Sequence, residues 1–350
     1  MKVMHVLNSR IYSGAEKVVC QIIRSFAGSD VQMVYCSPYS EIVEQMVTAQ
    51  GVHYRPIDSL TPKHLKQVIQ QEQPDLIHAH DMRAGFVSAL CCGKIPLLSH
   101  IHNNAYDARG ISPKSIAYLL AAWKAKQILW VSNSSYDGYA FHKWFAGKSQ
   151  VLYNIIDTQQ IYDKLAQDTN QYDFDMIYVG RLTYQKDPQR LMGLCARIRQ
   201  EKPDLKVAIV GTGELEEECK ALSRELGLED AVQFLGFQAN PMKMVADSKV
   251  MILTSRWEGT PMCALEAMAL GTPVVSTPSD GMKDLLKDGF SGYLSEEDTV
   301  LAADVLKILR DPQHRAMLAE NAKAHFDKIN DDLAYRQFIE ACYRQGVETA

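Results

Sequence analysis

Glu258 and Glu266 mark the stretch best suited to chemistry, residues 255–276, SRWEGTPMCALEAMALGTPVVS. Glu258 sits in a Gly-Thr-Pro turn. Thr260 is a good N-cap, Pro261 suits the first helical position and Gly271 suits the end, so the pattern predicts a helix through Met262–Leu270. Glu266 is the only charge from Gly259 to Pro278. A carboxylate in so apolar a helix is costly to bury unless something polar meets it. Glu258 stands just ahead of the helix start, where backbone N–H groups and the dipole favour an anion. An anion seat at the tip and one acid a turn further in suit a sugar phosphate followed by a ribose diol.

Other residues complement such an anion. Arg181 and Lys186, in GRLTYQKDP, follow the predicted strand Met176–Gly180 and precede a helix. Both could grip a diphosphate, Arg through its planar fork and Lys as a point charge. Gly211-Thr212-Gly213-Glu214 forms another strand–helix junction, but position 216 is Glu, so the dinucleotide fingerprint G-x-G-x-x-G fails. Near the start, Ser13-Gly14-Ala15-Glu16 opens a helix after the strand Lys2–Leu7, a place where a phosphate can approach. The pairs His78/His80 and His100/His102 fall at predicted strand ends. Residues i and i+2 of a strand share a face, so four imidazoles could gather a metal. A metal hydrolase therefore competes, although the Arg, Lys and two Glu of the second half suit an anionic substrate better. His78 and His100 are expected in the core, and His80 and His102 along a cleft. Asp173-Phe174-Asp175 precedes a strand and reads as solvated strand-start acids rather than a metal-binding DxD.

These residues need a scaffold, and the chain alternates β-rich and helical segments throughout. Such alternation predicts parallel sheets covered on both faces, with functional groups at the strands' carboxyl ends. Thr158–Tyr172 is polar and reads as a linker, and Asn133–Phe145 as an aromatic-rich helix. Helices near 300–310, 312–328 and 331–346 close the chain. The 350 residues, 47% hydrophobic and 23% charged, suggest two globular domains. A net charge of −5 lacks the basic footprint of a nucleic-acid binder. Eight cysteines without a C-x-x-C pair read as reduced thiols. MKVMHVLNSR turns polar too soon for a secretory signal, and no uncharged apolar run reaches membrane-spanning length. A cytoplasmic protein is expected. KSIAYLLAAWKAK (114–126) and YAFHKWFAGK (139–148) mix aromatic and basic residues. They read either as covering helices or as a lipid-facing surface presenting Lys124, Lys126, Lys143 and Lys148.

Taken together, these pieces resemble a family. They are the Gly-Ala-Glu loop, the H-x-H strand ends, Gly180-Arg181-Leu182 with Lys186, Gly211-Thr212-Gly213, Phe234-Leu235-Gly236 and E-G-T-P…E-A-M-A-L-G-T-P-V-V. The order is similar to the retaining GT-B glycosyltransferases of family 4, whose hallmark is E-x7-E, over essentially the whole chain. The resemblance implies an α/β fold of two Rossmann-like domains facing across a cleft. An acceptor-side domain would cover 1–160, a nucleotide-sugar-binding domain 173–328, and a C-terminal helix, 329–350, would cross back to the first. It implies a nucleotide-sugar donor, taken as a UDP-sugar, and a cell-surface glycan or lipid-linked acceptor. Transfer would be front-face and retaining, without a metal or cofactor. The alternative is an epimerase or hydrolase of nucleotide sugars on the same fold, using Asp81, Asp107 or Asp137.

The resemblance also implies roles. Glu266 would hold the ribose hydroxyls. Glu258 and the backbone of Gly259, Thr260, Pro261, Met262 and Cys263 would meet the transferred sugar and its phosphates. Arg181 and Lys186 would neutralise the diphosphate, which Gly14 lets the first-domain loop approach. Gly213, Gly236 and Phe237 belong to the donor site, with Phe234–Phe237 bordering the base. His102 matches the family's histidine near the transferred sugar. Ser13 replaces a usual glycine, Ile155 another, and Asp284 a common Glu. Lipid-linked acceptors in the family imply peripheral contact at the inner face of the plasma membrane.

Overall fold

The structure, a computed structural model, describes residues 1–102 and 108–348. It divides into two compact units, Met1–Ile155 with Asp331–Ala350, and Ile156–Asn330. In the first unit, β1 (Lys2–Val6), β2 (Gln32–Pro38), β3 (Tyr54–Ile57), β4 (Leu76–Ala79), β5 (Leu97–Ile101), β6 (Ala125–Trp130) and β7 (Ser149–Val151) form one sheet. Its order is β3-β2-β1-β4-β5-β6-β7, with every pairing parallel. The connecting helices are α1 (Gly14–Ser25), α2 (Glu41–Thr48), α3 (Pro62–Glu72), α4 (Met82–Cys91), α5 (Pro113–Lys124) and α6 (Asn133–Asp137). β4 and β5 are buried along their whole length, as a parallel sheet covered on both faces requires.

The second unit repeats the scheme. Its helices begin with α7 (Thr158–Gln167), α8 (Pro188–Glu201), α9 (Glu216–Glu225), α10 (Met242–Asp247) and α11 (Met262–Leu270), and end with α12 (Asp280–Leu285), α13 (Asp298–Arg310) and α14 (Pro312–Ile329). They alternate with β8 (Met176–Val179), β9 (Val207–Val210), β10 (Val232–Gly236), β11 (Val250–Leu253), β12 (Val274–Ser276) and β13 (Gly292–Leu294). The sheet order is β10-β9-β8-β11-β12-β13. In both units the strand order reverses beside the first strand, between β1 and β4 and between β8 and β11. Ligands of doubly wound sheets bind outside the carboxyl ends at such a point. α15 (Asp332–Glu348) returns to the first unit, where Arg336 lies over the Phe26 ring at 5.3 Å and Gly346 packs beside Leu76.

Three expectations need correction. The supposed linker holds α7: the Asp157 carboxylate accepts the Gln160 N–H at 3.0 Å, and the Tyr162 hydroxyl donates to the Ala269 carbonyl at 3.1 Å. The helix expected over Asn133–Phe145 stops after Asp137, and a 3-10 turn follows at His142–Lys148. Burial of Tyr139 against Tyr118 and Trp130 pulls the chain inward between them. Asp175 is no solvated strand-start acid. It is buried, accepts the Lys249 ammonium at 2.8 Å and takes the Lys206 N–H at 3.1 Å, whereas Asp173 does lie exposed.

Candidate functional site

In the second unit the loop after β11 folds onto the loop after β8. The Thr254 hydroxyl donates to the Lys186 and Asp187 carbonyls, and the Arg256 N–H to the Gln185 carbonyl at 2.8 Å. The Arg256 guanidinium pairs with Asp187 at 2.9 Å and stacks over Tyr184 at 4.4 Å. Asp187 adopts a left-handed backbone, φ 49°, unusual for a residue other than glycine. It precedes Pro188 at the start of α8 and turns Lys186 inward. There Lys186 Nζ pairs with Glu258 Oε1, which also accepts the Ser255 hydroxyl at 2.6 Å. Burial alone would lower the Lys186 pKa, but the Glu258 carboxylate overrides it and holds the ammonium raised.

Lys186 and Glu258 are therefore partners of one another. The cation left over is Arg181. It is exposed, and among the described residues its guanidinium makes no hydrogen bond or ion pair. Glu266 is buried on α11, a helix buried nearly all round. The cap of α11 is Pro261, one residue later than Thr260, because proline brings no N–H and here keeps an extended ψ of 111°. Ala264 and Leu265 N–H both reach the Pro261 carbonyl. At the other end Gly271, φ 74°, closes the helix with Gly271 N–H on Met268 and Thr272 N–H on Ala267.

Two glycines serve contacts between loops. A Cβ on Gly213 would lie 2.2 Å from the Leu182 carbonyl, and one on Gly281 only 1.4 Å from the Gly259 carbonyl. Gly213 thus lets the β9 and β8 loops touch, and Gly281 seats α12 on the Glu258–Pro261 turn. Gly236 has φ 65° at a bulge in β10, and the neighbouring Phe237 is exposed. Ser255, Asp187, Arg256 and Gly281 were not singled out from sequence for these contacts. Only the adjacency of β8, β11 and β12 makes their roles visible.

In the first unit Gly14 begins α1. Glu16 Oε2 accepts both the Ser13 N–H at 2.9 Å and the Ser13 hydroxyl at 2.8 Å, so the chain's own carboxylate already occupies this helix tip. The histidines form a larger group than two pairs. His5 of β1 stands opposite His78 in register, so five imidazoles share one face of the sheet. His78, His80 and His100 are fully buried and only His102 is partly exposed, so His80 lines no cleft. Ring nitrogens of His5, His78 and His80 lie within 4.8 Å of one another, as do those of His80, His100 and His102. His78 Nδ1 meets the Tyr343 hydroxyl of α15 at 2.8 Å. Burial lowers all five pKa values, to about 3 for His5 and His102. His5 was legible only as a strand residue until strand order placed it beside β4. Of the acids considered for hydrolysis, Asp81 caps α4 and accepts the Asn8 N–H, Asp137 is exposed near His142, and Asp107 lies outside the described residues.

Comparison with known proteins fits this layout. The model of "Glycosyltransferase Family 4" matches residues 12–160, and that of "Glycosyl transferases group 1" matches residues 162–325. A Campylobacter jejuni relative is 34% identical over 188 residues, 52% of this chain and 51% of its own length. It is named N-acetylgalactosamine-N,N'-diacetylbacillosaminyl-diphospho-undecaprenol 4-alpha-N-acetylgalactosaminyltransferase. The matched stretch thus spans about half of that relative. The N-acetyl-alpha-D-glucosaminyl L-malate synthase of Bacillus anthracis is 26% identical, covering 83% of this chain and 80% of its own. The crystal structure of Anabaena HepE in complex with UDP-glucose superposes with a TM-score of 0.88 at 23% identity, covering 99% of this chain and 100% of that one. Two Rossmann-like units of this kind are the GT-B architecture, and with a matching model over each half the chain belongs to the family 4, group 1 glycosyltransferases.

Proposed function

We propose that the chain transfers a sugar from a UDP-sugar to a glycan or lipid-linked acceptor. The observation that carries this reading is the uncommitted Arg181 guanidinium beside the Lys186–Glu258 pair, at the carboxyl ends of β8 and β11. Negative charge grows on a departing diphosphate, so cations fixed there lower the barrier most at the transition state. Arg181 takes the phosphates directly, and Lys186 adds field while oriented by Glu258. Glu266 holds the ribose hydroxyls, Phe237 borders the base, and His102 meets the transferred sugar. The alpha linkages in the names of both relatives favour retention, and the UDP-glucose bound by Anabaena HepE favours a uridine donor. The basic groups replace a metal, so turnover persists in a chelator; loss with EDTA and rescue by manganese would reverse this.

A screen of nucleotide sugars for hydrolysis and thermal stabilisation tests the reading. Glu266→Ala is expected to weaken UDP binding about 10- to 100-fold, the loss of one charge-assisted hydrogen bond, with the melting temperature nearly unchanged. Equal UDP affinity in the variant would remove the ribose assignment.

Contact with a membrane belongs to the same proposal. Ile116, Trp123 and Trp144 are more than half exposed, with Lys124, Lys126 and Lys143 exposed nearby. Lys148 does not join them, because its ammonium donates to the Trp123 and Ala125 carbonyls at 2.9 and 2.8 Å. Among the described residues no helix is long and apolar enough to cross a membrane. Each lysine at an anionic surface contributes about 1 kcal/mol, lost as salt rises. Sedimentation with anionic vesicles at low salt decides it, and protein left in the supernatant refutes it.

A further inference from the structure

Asp187 holds a conformation that its position does not call for. Among the described residues only Gln73 and Asp187 are non-glycine residues with a positive φ. Gln73 closes α3, and at the C-terminus of a helix a left-handed residue is ordinary. Asp187 opens α8. There the cap residue is ordinarily extended, and an aspartate carboxylate takes a free N–H of the first turn. Asp157, Asp81 and Asp311 do this for α7, α4 and α14. Asp187 instead has φ 49° and makes no side-chain cap. Outside glycine such a backbone is unfavourable unless its surroundings hold it.

Arg256 supplies that hold. Its guanidinium pairs with the Asp187 carboxylate at 2.9 Å, donates through Nε to the Tyr184 carbonyl at 3.2 Å and lies over the Tyr184 ring at 4.4 Å. Its backbone N–H donates to the Gln185 carbonyl at 2.8 Å. Arg256 thus grips Tyr184, Gln185 and Asp187, and the residue enclosed among them is Lys186. The Lys186 and Asp187 N–H groups both turn back to the Thr183 carbonyl, at 3.0 and 3.2 Å, so the turn is one tight unit. Stability alone does not account for this use of the carboxylate. The Arg256 side chain is 39% exposed, and an ion pair of that kind contributes no more than the cap that Asp187 forgoes.

We propose that Arg256 is a positioning residue: through Asp187 it braces the turn that aims Lys186. That the turn serves the diphosphate of a nucleotide sugar rests on the reading proposed above.

Amide hydrogen exchange of the full chain tests the brace without any ligand. Arg256→Ala should speed exchange at Lys186 and Asp187 about tenfold, the scale of one unbraced left-handed residue. Adding Asp187→Gly should restore slow exchange, since glycine takes this backbone without help. Affinities for UDP and UMP then read what the brace is for. The two nucleotides differ by one phosphate, so their ratio reports the grip on the diphosphate. Arg256→Ala should lower the preference for UDP about tenfold, the scale of one weakened charged hydrogen bond, with UMP affinity unchanged. Adding Asp187→Gly should restore the preference. With Lys186→Met already in place, Arg256→Ala should change the ratio no further.

Unchanged exchange in Arg256→Ala would overturn the proposal, and so would a UDP preference that this variant leaves intact. A loss that persists in full beside Lys186→Met would also overturn it, because Arg256 would then meet the ligand itself. If Lys186→Met does not fold, the glycine rescue decides the same point, and its failure sinks the brace. A wild type whose slow exchange depends on Arg256 but which has no affinity for UDP would refute the donor reading and leave the brace standing.

Discussion

Glu258 and Lys186 are both largely buried, with side chains 7% and 14% exposed, so each neutralises a charge that would otherwise be stranded. Removing one partner of such a pair costs about 3–5 kcal/mol, because the other stays buried and uncompensated. Glu258→Gln and Lys186→Met should therefore each lower the stability of the second unit by that order. The double variant should lose much less than their sum. Urea titrations of the four proteins close the cycle, and a coupling near zero would show that the two charges are independent. Both acids of E-x7-E were legible in sequence, as was the basic character of the β8 loop. The pairing was not. Lys186 and Glu258 are 72 residues apart, and only the adjacency of β8 and β11 joins them.

At the scale of elements, glycines separate contact from mere flexibility. Gly281 and Gly193 look alike in sequence. A Cβ on Gly281 meets the Gly259 carbonyl at 1.4 Å, while one on Gly193, in the middle of α8, meets nothing within 4 Å. Gly281→Ala should cost at least the 1–3 kcal/mol of ordinary overpacking, roughly, and displace the turn that carries Glu258. Gly193→Ala should gain about 0.5–1 kcal/mol through helix propensity. Opposite shifts in the urea midpoint are the expected result, and a harmless Gly281→Ala would mean that α12 does not hold this turn. The β-α alternation and the end of α11 at Gly271 were readable because local propensity and fold agree there. α7 was missed because its polar sequence hides a single buried apolar anchor, Ile161, although Asp157 ahead of it offered a cap signal. The early stop of α6 was hidden for the opposite reason, since burial of Tyr139 overrides a helical pattern.

For the molecule as a whole, the five imidazoles make the first unit sensitive to acid. Each folded pKa lies below the ordinary value of 6.5, to about 3 for His5 and His102, so the unfolded chain binds more protons. Stability from these groups is fully present above about pH 6.5 and is lost as pH falls toward 3. Urea midpoints followed through the buried Trp130 should decline steeply below pH 6.5, with several protons taken up per unfolding event. Replacing His78 and His100 with Phe should flatten the slope, and an unchanged slope would place the acid sensitivity elsewhere. Parallel sheets covered on both faces followed from the alternation, but the clustering of five histidines did not. It depends on β1 lying between β2 and β4, which periodicity alone does not specify.

Because α15 completes the first unit from beyond the second, the order of synthesis is not the order of completion. A ribosome releases the first sheet early, with the face around His78 and Leu76 still waiting for Tyr343 and Gly346. All of residues 156–330 must emerge before that face is covered. The nascent protein therefore carries a folded but unsealed first sheet until residues 331–348 arrive to cover it. A chain ending at Asn330 should keep the unfolding transition of the second unit while the first binds a hydrophobic dye. A peptide of residues 331–350 added in trans should suppress that binding, and a truncated chain that is already dye-silent would show that the early sheet seals itself.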